Sequence, residues 1–302
     1  MAEEKRIISV FFVILQSLIY TVFAMDERLD KVKVQFSYLP LINFAIQQNS
    51  APVIHQLSIE NATSAPLKDI QVQITAEPAF GNAVPTVIEL IPAHGTVSLQ
   101  PLSLTLSANY FTQLTERLSG NLKIEITSEA SLIFTQTYPI DILAYDQWGG
   151  LNVLPEMLAA FITPNHTAIL PIIKRAAAIL GQWTDNPSLD EYQSRNPDRV
   201  RKQMAAIYTA ISEQQIIYST IPASFEEYGQ RVRLADSVMA QKLGTCLDMS
   251  LLYASCLEAI GLNPLIIITQ GHAFAGAWLV PETFPDPTVD DVSLSVSYTH
   301  LT

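Results

Sequence analysis

The sequence predicts an α+β protein in which a domain of short β-strands precedes a domain of helices that closes with one helix and two strands. Apolar and polar residues alternate over about 32–145, whereas apolar residues recur at helical spacing after residue 150. Glycine and proline divide the first region at roughly the spacing of sandwich strands. A length of 302 residues accommodates two domains of ordinary size, each with its own core.

The composition excludes several classes of protein and of partner. Hydrophobic residues make up 49% of the chain and charged residues 15%, which is too apolar for a disordered chain and too poor in charge for a coiled coil. Seventeen basic residues against twenty-nine acidic residues give a net charge of −12. A field of that sign repels phosphate, so we expect no direct nucleic-acid binding by this chain.

The sequence contains neither a disulfide scaffold nor a motif for a metal or a nucleotide. Its two cysteines are too few for such a scaffold, and no Cys and His residues cluster at zinc-ligand spacing. The phosphate-binding patterns G-x-x-x-x-G-K-[ST] and G-x-G-x-x-G are both missing from the sequence. We therefore expect no metal and no cofactor.

Residues 1–30 are predicted to be a leader, either signal-like or not native to the protein. An apolar run over 7–23 follows Lys5 and Arg6 and ends close to Ala24, as in a signal peptide. The run is marginal in length and polarity for a spanning helix, which needs about 20 strongly apolar residues. If the segment is genuine, the protein is exported or anchored in a membrane. Otherwise translation starts at Met25.

Residues 31–145 are predicted to form a β-sandwich of the immunoglobulin-like or fibronectin-like kind. Strict alternation places every second side chain on a buried face, and a short helical crossing is expected over 110–118. His55 on a strand and His94 in a turn have no second ligand nearby in the sequence, so we interpret both as structural. The alternating segments are 53–59, 70–74, 86–90, 122–126 and 132–136.

Residues 146–291 are predicted to form the second domain. Helical spacing indicates an amphipathic helix over 154–162 and a longer helix over 163–183. A third helix starts at Asn196, because an N-cap side chain precedes proline at the first helical position.

A fourth helix, within residues 241–261, carries a thiol in its first turn. Apolar residues recur at helical spacing from Leu247 onward, and Gly261 is a natural C-cap. This places Cys246 at the N-terminal end, where free backbone N–H groups and the helix dipole favour a thiolate. We expect Asp248 to support this first turn and Cys256 to be a buried structural residue.

A histidine follows this helix at the start of a predicted hairpin. Residues 265–269 form a buried strand, Gln270 and Gly271 form the turn, and a second strand begins at His272. This order can bring His272 to face the helix start that carries Cys246. A thiol and an imidazole are the minimal nucleophile and base for acyl transfer, and the first-turn amides can receive an oxyanion.

This pattern resembles the transglutaminase-like branch of the papain-like cysteine superfamily. The resemblance implies Cys246 as nucleophile, His272 as base, and a protein or peptide as substrate or partner. The family also uses a third residue, an acid that orients the histidine, and its position implies Asp286, with Asp290 and Asp291 as alternatives. The stretches that carry the resemblance are Gly244-Thr245-Cys246-Leu247-Asp248, Ala259-Ile260-Gly261-Leu262-Asn263-Pro264 and Gly271-His272-Ala273.

A wider resemblance covers about residues 32–291, which are similar to the N-terminal region of large bacterial multidomain proteins. In that family superfamily 1 helicase-like domains follow this region, so the resemblance implies such downstream domains as partners and a cytoplasmic location. The chain holds no helicase motif, and ATPase activity is not implied for it. Residues 292–302 do not continue the pattern and are predicted to be a truncated or non-native tail. The stretches that carry the wider resemblance are Leu41-Ile42-Asn43-Phe44-Ala45, Tyr145-Asp146-Gln147-Trp148-Gly149-Gly150, Thr163-Pro164-Asn165-His166 and Pro222-Ala223-Ser224-Phe225-Glu226.

The sequence leaves two main hypotheses about function. In the first, the second domain is a cysteine enzyme that hydrolyses or exchanges amide bonds through a thioester on Cys246. In the second, the transglutaminase-like domain is catalytically silent, and both domains recognise a partner or position downstream domains. A third interpretation, an exported peptidase-like protein, requires the apolar run over 7–23 to be a genuine signal segment.

Overall fold

The structure, a computed structural model, describes residues 9–12, 20–24, 31–100, 102–220 and 229–290, the first two ranges as backbone. The protein is mixed α+β, which confirms the predicted class. It divides into two compact units, Ser17–Val153 and Met1–Gln16 with Leu154–Thr302. The units divide after residue 153, whereas the change of pattern in the sequence suggests 145. The predicted tail and Asp291 lie outside the described residues.

The unit Ser17–Val153 contains two sheets, two short helices and the two-residue strand β13, which belongs to neither sheet. Its elements follow β1 (Ser9–Phe12), which belongs to the other unit. They are β2 (Tyr20–Ala24), β3 (Val32–Tyr38), β4 (Leu41–Ile42), α1 (Phe44–Gln48), β5 (Ile54–Asn61), β6 (Leu67–Glu77), β7 (Gly81–Ala83), β8 (Thr86–Ile91), β9 (Thr96–Leu99), β10 (Leu104–Leu106), α2 (Ala108–Gln113), β11 (Leu118–Ser128), β12 (Ser131–Ile142) and β13 (Gln147–Trp148).

The smaller sheet has the order β2-β3-β5-β9, and the larger has the order β10-β7-β6-β11-β12-β4 with β8 paired to β6. Alternation along β6 buries Ile70, Val72 and Ile74, as the period-two pattern predicts. The inner faces of the two sheets meet where the Phe36 and Tyr138 rings lie 4.8 Å apart. The unit therefore has one core between two sheets.

The helical crossing predicted over 110–118 lies earlier in the chain. It is α2, which begins after Ser107 because the Ser107 side chain accepts a hydrogen bond from the Tyr110 N–H. Leu118 instead opens β11 and pairs with Ile142 of β12. The helical crossing therefore ends before β11 begins, and the predicted range 110–118 extended too far along the chain.

The second unit combines helices with a four-stranded sheet. It also contains 3-10 helices at Pro155–Phe161 and Thr167–Ile169. Its remaining elements are α3 (Leu170–Thr184), α4 (Pro197–Ser212), β14 (Ile217–Tyr218), β15 (Gln230–Arg231), α5 (Ala235–Gln241), β16 (Leu243–Gly244), α6 (Cys246–Ala259), β17 (Pro264–Thr269), β18 (His272–Ala277) and β19 (Thr288–Val289).

The first predicted helix of this unit differs in type from the expectation. The segment expected as an amphipathic α-helix over 154–162 is a 3-10 helix that begins at Pro155 after Leu154, whose φ of 45° is left-handed. By contrast, α4 begins as predicted, since the Asn196 side chain accepts from the Asp198 N–H and Pro197 occupies the first position.

The sheet has the order β18-β17-β1-β19, with β17 and β18 antiparallel and β1 parallel to both β17 and β19. The strand Ser9–Phe12 thus lies within the residues predicted as a leader, and that prediction stays untested. Helices α3, α4 and α6 enclose an apolar core that contains Cys256, with a side chain 0% exposed, as predicted. Among the described residues, no helix has both the length and the apolar character needed to cross a membrane.

Candidate active site

The first turn of α6 is fixed by reciprocal hydrogen bonds, and it begins with Cys246. The Asp248 N–H donates to Thr245 Oγ1 (3.2 Å), and the Thr245 N–H donates to Asp248 Oδ2 (2.9 Å). This capping box leaves Cys246 as the first helical residue, partly exposed. The prediction that Asp248 supports the helix start is confirmed.

Arg233 completes the bonding of the Asp248 carboxylate, which is 0% exposed. The backbone N–H of Arg233 donates to Asp248 Oδ1 (2.8 Å), and its side-chain Nη1 donates to Asp248 Oδ2 (3.1 Å). A buried carboxylate is stable only when it is paired and hydrogen-bonded, and here both oxygens accept bonds. The turn that carries Cys246 is therefore anchored to the segment before α5.

His272 lies at the start of the second strand of the predicted hairpin. It pairs with Thr269 across the turn, which Gly271 makes with a φ of +70°. The imidazole is exposed, and its ring stacks on that of Phe274 at 6.3 Å and 27°. The hairpin geometry predicted from the Gln270-Gly271 turn is the observed one.

Cys246 and His272 border the same pocket, which has a volume of about 270 Å³. The structure thus brings together the two residues that the sequence singled out as nucleophile and base. The remaining lining is mostly aromatic and aliphatic. Its large side chains are Tyr208, Ile211, Tyr218, Met249, Tyr253 and Phe274.

Tyr218 is a residue of this site that sequence reasoning missed. Strand β14 pairs in parallel with β16, so that Tyr218 lies opposite Gly244, and the Ser219 N–H donates to the Gly244 carbonyl at 2.8 Å. Burial raises the pKa of Tyr218, and Cys246 raises it further through its charge and a side-chain hydrogen bond. A raised phenol pKa beside sulfur fits a Tyr218 hydroxyl that keeps its proton and donates it in a hydrogen bond to the Cys246 sulfur.

The third predicted residue, Asp286, does not join this pocket. Asp286 and Asp290 are exposed residues on either side of β19, and neither lines the pocket. Strand β19 pairs with β1, so two strands separate it from β18 and His272. Within the described residues no strand pairs with the outer edge of β18, so no acidic residue reaches His272 from a neighbouring strand on that side.

No metal site is found among the described residues, since no three His, Cys, Asp or Glu side chains gather closely enough to hold an ion. The reactive groups that line the pocket include the Cys246 thiol, the His272 imidazole and the Tyr218 hydroxyl. A partly exposed thiol at a helix start, an exposed imidazole and a phenol suit nucleophilic attack on a carbonyl.

The comparisons with known proteins do not identify a family. No protein-family model and no curated protein sequence matches the chain. Among solved structures, the X-ray structure of Northeast Structural Genomics Consortium target SoR45 is 12% identical and covers 42% of this chain and 84% of its own, with a TM-score of 0.18. A similarity at that TM-score carries no argument about fold or function.

Proposed function

We propose that this protein is a transglutaminase-like cysteine enzyme that acts on amide or peptide bonds, with Cys246 as nucleophile and His272 as base. The observation that carries the proposal is that both side chains border one pocket of about 270 Å³, although a helix and a strand separate them in the chain. A thiol within reach of an imidazole is the minimal arrangement for nucleophilic catalysis.

The reaction proceeds in two steps. His272 takes the proton of the Cys246 thiol while the sulfur attacks the carbonyl carbon and forms a C–S bond. The C–N bond then breaks, the imidazolium gives its proton to the leaving amine, and the acyl group remains on sulfur as a thioester. In the second step His272 deprotonates water or another amine, which attacks the thioester. The C–S bond breaks, and the proton returns from His272 to sulfur.

The helix start supplies donors for the oxyanion of the first step. The Asp248 N–H is taken by Thr245 Oγ1, and the Met249 N–H makes the first hydrogen bond within the helix, to the Thr245 carbonyl at 3.0 Å. The N–H groups of Cys246 and Leu247 precede these, so they are the donors assigned to the oxyanion. Tyr218 adds a hydroxyl that stabilises the thiolate.

The same proposal extends to the fold of each unit and to the location and partners of the protein. Helix α6 followed by the β17–β18 hairpin is the element order expected of a transglutaminase-like domain, and the two sheets of Ser17–Val153 suit an immunoglobulin-like sandwich. The wider sequence resemblance supports a cytoplasmic location, a protein or peptide substrate, and downstream helicase-like domains as partners. The acidic net charge of −12 argues against direct nucleic-acid binding by this chain.

One observation favours a second candidate function, a catalytically silent recognition module. Asp286 lies by β19, at the opposite edge of the sheet from the His272 strand, so it does not orient the imidazole. An enzyme of this type without its third residue would lose much of its rate, while the pocket would still bind a polypeptide. The two functions differ in whether a covalent intermediate forms.

Trapping that intermediate tests the proposed function. We expect acetylglycine p-nitrophenyl ester, quenched with acid during turnover, to leave an acetylglycyl group on Cys246, detected by peptide mass spectrometry. Acylation should be much faster than in the urea-unfolded chain, and Cys256→Ala should behave as the wild type. If Cys246 is acylated no faster in the folded protein than in the unfolded chain, the silent module is the correct function.

The Tyr218 hydroxyl should accelerate acylation of Cys246. We expect Tyr218→Phe to slow it about tenfold, because a hydrogen bond to a charged group contributes about 1.5 kcal/mol or more. The rate of acylation by the same ester checks this. Tyr208→Phe is the matched control, since Tyr208 also lines the pocket but contacts Tyr253 through its ring, at 6.3 Å. Equal rates in the two variants would remove Tyr218 from the mechanism.

A further inference from the structure

The pocket beside Cys246 is built almost entirely of apolar surface contributed by separate elements. Tyr208 comes from α4, Tyr218 from β14 and Phe274 from β18, and these side chains are 66%, 55% and 46% exposed. Clusters of exposed large apolar side chains on a folded protein mark interaction sites. Three elements that present such side chains around one nucleophile form a binding site rather than a random patch.

Two polar side chains of the lining, those of Ser250 and Tyr253, are bonded to backbone carbonyls of the protein itself. The Ser250 hydroxyl donates to the Cys246 carbonyl at 2.7 Å, and the Tyr253 hydroxyl donates to the Met204 carbonyl at 3.0 Å. No Asp, Glu, Lys or Arg is among the described residues that line the pocket. A polar or charged side chain placed there would exchange hydrogen bonds to water for a mostly apolar lining, which costs free energy.

The size of the pocket limits what it can hold. Its volume of about 270 Å³ lies just below the range of about 300–1,000 Å³ that is usual for small-molecule and cofactor sites. Such a space suits one large side chain rather than a nucleotide or a cofactor. Its position against Cys246 and His272 means that the side chain would enter next to the reacting carbonyl.

From these observations we infer that the acyl donor is a polypeptide segment whose residue at the reacting carbonyl carries an aromatic or large aliphatic side chain. This inference rests on the proposed function, because it assigns the substrate of the same site. The rings of Tyr208 and Phe274 contact the incoming side chain, and the apolar face of Met249 lies beneath it. Gain in rate then comes from burial of apolar surface as the donor binds.

The inference is tested with N-acetyl p-nitrophenyl esters of glycine, phenylalanine, leucine, glutamine and glutamate, by measuring kcat/KM for acylation of Cys246. We expect the phenylalanine and leucine esters to exceed the glycine ester by about 10- to 100-fold, as burial of a large apolar side chain allows. The glutamine and glutamate esters should stay within about threefold of glycine. Tyr208→Ala and Phe274→Ala should each lower the ratio of phenylalanine to glycine by about fivefold or more.

Trp183→Ala is the matched control, because Trp183 is an exposed aromatic residue of α3 that does not line the pocket, and it should keep the wild-type ratio. Equal rates for all five esters, or a preference for glutamine or glutamate, would overturn the inference while the proposed function stands. Failure of all five esters to acylate Cys246 would overturn the proposed function itself. If Trp183→Ala lowered the ratio of phenylalanine to glycine as much as Tyr208→Ala does, the pocket would not be the source of the preference.

Discussion

Iodoacetamide at neutral pH should alkylate Cys246 at least about 100-fold faster than Cys256, because only an accessible thiolate is nucleophilic. Cys246 is partly exposed and borders the pocket, whereas Cys256 is 0% exposed in the core of α3, α4 and α6. Burial raises the pKa of the Cys256 thiol to about 12, so it stays protonated at pH 7. The two thiols therefore differ in access, and the buried thiol is in addition kept protonated.

A time course of peptide mapping by mass spectrometry gives both alkylation rates in one experiment. The same chain in urea serves as the control, since there both thiols are exposed and should react at similar rates. Slow and equal labelling of the two cysteines in the folded protein would contradict an activated Cys246 and favour the silent module.

Asp248→Ala should lower the free energy of unfolding by about 3 kcal/mol, the largest stability effect that we expect from a single substitution. The carboxylate is fully buried, accepts the Thr245 N–H that closes the capping box, and pairs with Arg233. Its removal leaves those donors without their acceptor and frees the turn that carries Cys246. Urea unfolding measured by fluorescence and circular dichroism gives the change in stability.

Asp198→Ala is a matched control for this substitution. Asp198 is also an acid in the first turn of a helix, α4, and also pairs with an arginine, Arg201 at 2.7 Å, but its side chain is 75% exposed. Exposed ion pairs contribute about 0–1 kcal/mol, so this variant should unfold close to the wild-type midpoint. If the two variants lost equal stability, burial of the Asp248 carboxylate would not be what fixes the helix start.

Local sequence signals were sufficient for the two residues that the site depends on. The apolar run of helical spacing from Leu247 to the C-cap Gly261 predicted that Cys246 lies in the first turn of α6, and the glycine turn before His272 predicted the β17–β18 hairpin. The same spacing placed Cys256 inside the core. Such features are predictable because each depends on residues within a few positions of one another.

Contacts between distant segments were not predictable in this way. Tyr218 reaches Cys246 only through a two-residue ladder with Gly244, and a strand that short has no periodic pattern. The pairing of β19 with β1 keeps Asp286 away from His272, and the sequence pattern is equally compatible with other strand orders. Alternation defines which face of a strand is buried, but it does not define the neighbour of that strand.

Cooperation between Cys246 and His272 is tested most directly by the alkylation rate of Cys246 in His272→Ala. A positioned imidazole base that deprotonates the thiol should make this rate fall about tenfold or more when it is removed. His94→Asn is the matched control, because His94 is an exposed turn residue whose φ of 54° asparagine tolerates, and it should react as the wild type. An unchanged rate in His272→Ala would mean that the imidazole does not activate the sulfur.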